Sequence, residues 1–283
     1  MQHRNLVILD IETVPDTDAV PNLTGVTVPD VVERRIELEQ YHLAVTHGQN
    51  PFPRQPFHRV VAISVLRAEI ERDGANEVFY LQELRSGGKP DSTEAELING
   101  IFRYIDHHKP RLVTYNGRGF DLPVLKYRAM VHGVAAPFFY QAGDRWNGYT
   151  QRYAADWHCD LMEVLSDFGA AARCRLNEIC AVLGLPGKFG IEGSQVAELF
   201  DQGRIEDIRD YCETEVLNTY LVYLRHMLHR GTLTLDGYNR AVADLIGFIE
   251  AEKVERKHLG AFLEAWGETS GNRFTLEPVD KKN

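Results

Sequence analysis

The chain has 283 residues, 44% of them hydrophobic and 25% charged, which is long enough to bury a substantial core and too apolar for a disordered polymer. No apolar run is long enough to cross a bilayer, and no basic segment followed by an apolar one opens the sequence, so a cytoplasmic protein without membrane association is expected. The formal net charge of -10 argues against a generally basic nucleic-acid binder and leaves any phosphate affinity to a local surface.

In chain order, residues 6–9 form an apolar strand that ends in Asp10 and Glu12, spaced i, i+2 and so on one face of a strand. A long excursion follows over residues 16–58. It holds an amphipathic helical stretch, VVERRIELEQYHLAV, and a proline-rich piece, NPFPRQPFH. Residues 60–66 and 78–81 read as strands pairing antiparallel with the first. Residues 91–108 read as a helix with a capping signal, leading to a strand from Leu112 to Tyr115. The chain then turns through Asn116, Gly117 and Gly119, and a helix starts at Asp121 with Pro123 in its first turn.

Residues 156–160 are a short strand candidate, with Asp160 as a helix cap before LMEVLSDF and a supporting role behind the acidic site as its alternative. After RLNEICAVLGL comes a glycine-rich turn carrying Lys188, an exposed turn lysine by default, with a phosphate contact as the alternative. One long helix is expected over 204–230 and another helical stretch over 236–266, followed by a frayed end. The organisation expected is a domain over 1–230 and a C-terminal helical extension over 231–283. Three strands, a helix, a strand, a helix, a short strand and then helices make an α/β layer fold.

The cysteines Cys159, Cys174, Cys180 and Cys212 are irregularly spaced and form no CxxC pair, so they read as reduced structural thiols. The chemistry lies in the acids. On the long helix Tyr211 and Glu215 are spaced i, i+4 and share a face. Asp10, Glu12, Asp121 and Glu215 thus form an oxygen-only ligand set that suits magnesium or manganese rather than zinc. A local basic surface around the middle acid is expected from Arg103, Lys109, Arg111, Arg118, Lys126 and Arg128.

These segments resemble the three exonuclease motifs of the DnaQ-like superfamily: D-I-E at 10–12, N-G-R-G-F-D at 116–121 and Y-C-E-T-E at 211–215. Tyr211 marks the DEDDy version. HRVVAISV at 58–65 and LGLPGKFGIEGSQV at 183–196 are similar to stand-alone bacterial proteins related to the exonuclease domain of family B DNA polymerases.

The resemblance implies a ribonuclease H-like fold with a mixed five-stranded sheet flanked by helices. It also implies 3′ to 5′ exonuclease activity on the 3′ end of single-stranded DNA or RNA. Asp10, Glu12, Asp121 and Glu215 would hold two Mg²⁺ or Mn²⁺ ions for phosphodiester hydrolysis, Tyr211 would orient the attacking water, and Asn116 would bind substrate or fix the turn. Aromatics of the excursion, Phe52 or Phe57, are expected to stack on terminal bases.

The family's third motif ends in aspartate where this chain has Glu215. This departure motivates an alternative: a catalytically impaired module that binds nucleic acid or recruits a partner. A site that cleaves internal bonds is a third reading. A protein partner in trans through the C-terminal helix is a further expectation.

Overall fold

The computed structural model describes residues 3–188 and 190–278. Its centre is a five-stranded sheet in the order β3-β2-β1-β4-β5. These strands are β1 (Asn5–Pro15), β2 (His58–Asp73), β3 (Asn76–Ser86), β4 (Arg111–Thr114) and β5 (His158–Asp160). β2 runs antiparallel to β1, and β3 antiparallel to β2. β4 and β5 run parallel to β1. The mixed sheet is the one expected, except that β3 pairs with β2 and not with β1.

Alternation along β1 divides the core. Leu6 and Ile8 face one layer, whereas Val7, Leu9 and Ile11 face the other. The first layer holds α9 (Ile205–His229), with Leu217, Tyr220, Leu221 and Leu224, and beyond it α10 (Leu235–Glu252) and α11 (Lys257–Ser270). The second layer holds α3 (Glu94–His108) and α4 (Asp121–Val131). Thr93 and Glu96 close a reciprocal capping box at the start of α3, and Leu97, Ile98, Ile101, Phe102 and Ile105 form its buried stripe. Asp10 and Glu12 share the parity of Leu6 and Ile8, so they face the α9 layer.

β1 is longer than expected. It continues to Pro15 with a bulge between Glu12 and Thr13, so the two acids stand inside the strand and not at its end.

The excursion contains two short helical turns and α2 (Val31–Val45). α2 has the expected bounds, yet its apolar side chains do not form one buried face. Only Leu38 and His42 are buried, while Val31, Val32, Ile36 and Val45 are exposed.

The expected helix over 236–266 is two helices. At Arg256 the backbone leaves helical geometry (φ -116°, ψ 80°), and the guanidinium ion-pairs with Glu213 and donates to the Leu84 carbonyl at 3.1 Å.

Residues after α11 are held in place as far as Leu276, not frayed. Asn239 exchanges two hydrogen bonds with the backbone of Leu276, each 2.9 Å, and Phe274 packs edge-on against Trp266. The end of the tail expectation, residues 279–283, lies outside the described residues. The apolar faces of α10 and α11 are occupied by this chain's own core through Leu245, Ile249, Leu259, Phe262 and Trp266. Among the described residues, no helix is long and apolar enough to cross a membrane.

Candidate active site

β1 presents Asp10 opposite Ser64 of β2 and Glu12 opposite Ala62, both half-buried and on the α9 side. α9 lays Tyr211, Cys212 and Glu215 against them from one helical face. Cys212 is fully buried, and its Sγ donates at 3.4 Å to both the backbone oxygen and Oδ2 of Asp10. Ligand atoms of Asp10, Glu12 and Cys212 all lie within 4.8 Å of one another.

The middle motif reaches the same place by a tight turn. Asn116 adopts φ +65°, a left-handed conformation that asparagine tolerates better than most residues. Its carbonyl accepts from the N–H groups of Gly119 and Phe120. A Cβ on Gly117 would stand 2.3 Å from Thr114 Oγ1, so only glycine lets the turn close over the end of β4.

The helix cap of α4 is Phe120, and Asp121 is its first helical residue. Its carboxylate is thereby freed from capping and is buried toward β1.

Asp160 fills both of its expected roles, capping a helix and supporting the motif turn. Its Oδ1 accepts from Met162 N–H, starting the short helix α6 (Leu161–Leu165). The same carboxylate accepts from Asn116 N–H at 2.9 Å and Arg118 N–H at 2.8 Å, clamping the motif turn.

Burial raises all four acids, and Asp10 and Glu12 also feel the charges of the others. Burial, then repulsion from Asp121, Glu12 and Glu215, raises the Asp10 pKa well above the usual carboxylate range. Glu12 is raised likewise by burial and by Glu215 and Asp121. Burial pushes Asp121 up to about 7, with Asp160 adding repulsion, while backbone N–H groups of Asp121 and Ile11 pull it down. Burial also raises Glu215, against the charge of Lys188 and a hydrogen bond with Tyr211. Tyr211 is buried, and burial plus the charges of Glu215, Glu12 and Asp10 hold its phenol well above the usual range. It stays a protonated donor.

Lys188 is the exposed turn lysine expected by default, and its position also bears on the acids. It is exposed, yet its charge pulls down both Glu12 and Glu215. Spacing alone gave no signal, because the turn is brought over α9 only by the fold; a Cβ on Gly193 in that segment would lie 3.8 Å from the Tyr211 hydroxyl.

Two of the expected surface cations are not available. Arg111 is buried in an ion pair with Glu77 and also donates to the Tyr223 hydroxyl. Arg128 is buried against Glu94 and Asp16.

A converging set of desolvated carboxylates has an unmet need for positive charge that one exposed lysine does not supply. The oxygen-rich donor set fits a hard divalent cation, and the Cys212 thiol is occupied by Asp10. A second group, Asp210, Glu213 and His258, is a local ion network, since Glu213 already binds Arg256 and His258.

No curated protein matches the chain. A family model described as a predicted 3'-5' exonuclease related to the exonuclease domain of PolB matches residues 50–266, a span that holds Asp121, Tyr211 and Glu215 but begins after Asp10 and Glu12. That match covers well over half of the chain, and with the five-stranded mixed sheet flanked by helices it makes this protein a member of that exonuclease family with a ribonuclease H-like fold.

Proposed function

We propose that the protein is a divalent-cation-dependent 3′ to 5′ exonuclease acting on single-stranded nucleic acid, with Asp10, Glu12, Asp121 and Glu215 as cation ligands. The observation that carries this reading is the convergence of four desolvated carboxyls from β1, α4 and α9, where Asp10 and Glu12 are raised by burial and by the charges of Asp121 and Glu215, and Asp121 and Glu215 are raised by burial. Bound Mg²⁺ or Mn²⁺ would supply Lewis-acid charge against the attacking and leaving oxygens of the phosphodiester.

The chain's own residues supply the rest. Water adds to phosphorus and the bond to the 3′ oxygen breaks, leaving a nucleoside 5′-monophosphate and a shortened strand with a 3′ hydroxyl. The Tyr211 hydroxyl, beside Glu215, keeps its proton and orients the water without acting as its base. Lys188 offsets the excess negative charge and meets the substrate phosphate. Asn116, held at φ +65° by Asp160 through its own N–H, sets the turn that delivers Asp121 and lies beside the substrate path.

A second reading rests on Glu215. One methylene adds roughly 1.5 Å of reach, and a site so altered would retain a strand without cutting it efficiently. In the structure the Glu215 carboxylate is held down by the neighbouring Tyr211 hydroxyl and contributes to the elevation of Glu12 and Asp10. That arrangement favours the active reading.

The test is the polarity of degradation in Mn²⁺. A linear strand labelled at its 5′ end should yield a ladder shortening from the 3′ end, and a circular strand should stay intact. Cutting of the circle would replace this reading with an endonuclease; binding without cutting of either would support the module.

A further inference from the structure

The sheet register sets three polar residues in one row. Asp10 on β1 lies opposite Ser64 on β2, and Ser64 lies opposite Ser86 on β3. Residues directly opposite each other share a face of the sheet, here the one covered by α9. Two consecutive residues of α9 meet the ends of that row. Cys212 is hydrogen-bonded to both Asp10 and Ser64, and Glu213 accepts the Ser86 hydroxyl at Oε1 over 2.9 Å. Ser64 and Ser86 close the gap between them, with their hydroxyl oxygens 2.9 Å apart.

The far end is fixed from the C-terminal extension. Glu213 is buried, and its Oε2 takes an ion pair from Arg256 and a hydrogen bond from His258 Nε2 at 2.7 Å. With Arg256 beside it, Glu213 is an ionised acceptor. The order of hydrogens then follows along the row. Ser86 donates to Glu213, so in its pair with Ser64 it can only accept. Ser64 has thereby committed its hydrogen to Ser86 and turns a lone pair toward the Cys212 thiol. The single thiol hydrogen is shared between that oxygen and Asp10, whose backbone oxygen and Oδ2 both stand 3.4 Å from Sγ.

None of these groups takes part in the hydrolysis itself, yet a buried polar chain is stable only when each member is satisfied. We propose that Glu213, Ser86 and Ser64 are positioning residues that draw the Cys212 hydrogen away from Asp10 and so leave Asp10 Oδ2 open to a divalent cation. Without the far acceptor, the Ser64 hydroxyl is free to donate to Sγ. The thiol then has Asp10 as its one acceptor in the row, and its hydrogen competes with the cation for Oδ2. The junction of α10 and α11, through Arg256 and His258, belongs in this way to the working parts of the site. The inference rests on the reading of Asp10 as a cation ligand and adds the residues that keep that ligand available.

The test uses the full chain and two readouts. The S–H stretching band of Cys212, assigned by its absence from the Raman spectrum of Cys212→Ala, reports the thiol hydrogen in metal-free protein. Free Mn²⁺, followed by electron paramagnetic resonance, reports cation affinity. Ser86→Ala should weaken Mn²⁺ binding about tenfold, the lower end of the cost of losing a partner that supports a ligand, and should shift the Cys212 band. Ser86→Thr, which keeps the hydroxyl, should restore both. Glu213→Ala should repeat the Ser86→Ala result, and the double variant should lose no more than either single one.

Melting curves identify the folded variants, and Ser86→Ala with Ser86→Thr decides the matter if Glu213→Ala fails to fold. Unchanged affinity or an unmoved band in Ser86→Ala would overturn the relay. A loss that Ser86→Thr does not repair would do the same, as would losses that multiply in the double variant. A parent that binds no Mn²⁺, while its Cys212 band still moves in Ser86→Ala, contradicts the cation reading and leaves the hydrogen order standing. Mn²⁺ bound by the parent with an unmoved band removes the relay alone; no binding and an unmoved band remove both.

Discussion

Asp160 accepts the Asn116 N–H at 2.9 Å, so the cap of one short helix is also the clamp on the turn that delivers Asp121. Asp160 touches no substrate; it acts through that turn. Asp160→Ala should lower turnover by about 10- to 100-fold, the usual cost of removing a partner that orients a ligand. Asp160→Asn should fall between, since its amide keeps one acceptor oxygen of two. Steady-state kinetics with melting curves would check this: equal loss of stability in both variants, with unchanged turnover in the folded fraction, would mean that the cap alone matters.

Glu215 extends further from α9 than an aspartate would, and magnesium tolerates distorted geometry less than manganese does. The parent should therefore work faster in Mn²⁺ than in Mg²⁺, and Glu215→Asp should shrink that ratio. Glu215→Gln should lose activity in both ions. Rates in the two metals across the three proteins decide it; a ratio that does not move with Glu215→Asp would separate metal preference from side-chain length.

Lys188 is the cation whose charge holds Glu12 and Glu215 down. Replacing it with alanine should lower kcat/KM by about tenfold or more through lost attraction for phosphate. Removing the positive charge raises both carboxyls further, so the acid limb of the pH–rate profile should move to higher pH. Lys188→Arg should keep the profile. The profile is the informative readout, since a merely structural lysine would change stability and leave the limb in place.

Asp121 makes a prediction about the metal-free protein. Its folded pKa of about 7 lies above the ordinary carboxylate value, chiefly because it is buried. The folded state therefore binds this proton more tightly than the unfolded one does. The associated stability is present below the unfolded pKa and is lost as pH rises through about 7. In EDTA, the melting temperature should fall across that window more steeply for the parent than for Asp121→Asn, and Mn²⁺ should reverse the fall. Parallel pH dependences in the two proteins would contradict the assigned shift.

Much of this fold was legible because apolar alternation and helical stripes are local signals. The bounds of α2 and the bounds of α9 within a residue follow from the sequence, as do the order of elements and the turn at Asn116. What depends on distant partners was not. The break at Arg256 exists for Glu213 and Leu84, far away in sequence. Arg111 and Arg128 resemble solvated helix and strand cations until Glu77 and Glu94 are brought beneath them.

The same holds for the site. Motif spacing marks Asp10, Glu12, Asp121, Tyr211 and Glu215 as candidates, and the fold brings these five together. For Lys188 and Asp160 the sequence favours a turn lysine and a helix cap, and only tertiary proximity shows the charge on Glu12 and Glu215 and the clamp on Asn116. Phe52 is the intermediate case: the proline-rich excursion suggested an aromatic contact with bases, but only the bonds of His58 to Pro53 and of Gln55 to Gly119 fix which ring stands beside the motifs, and Phe57 instead packs on His42.

The most direct measurement is cation-dependent release of nucleoside 5′-monophosphates from a 5′-labelled single strand, comparing the parent with Asp10→Ala in Mn²⁺ and in EDTA. The account predicts a ladder that shortens from the 3′ end with the parent in Mn²⁺ and none in the other three reactions. Degradation that persists in EDTA, or that Asp10→Ala retains in full, would contradict it.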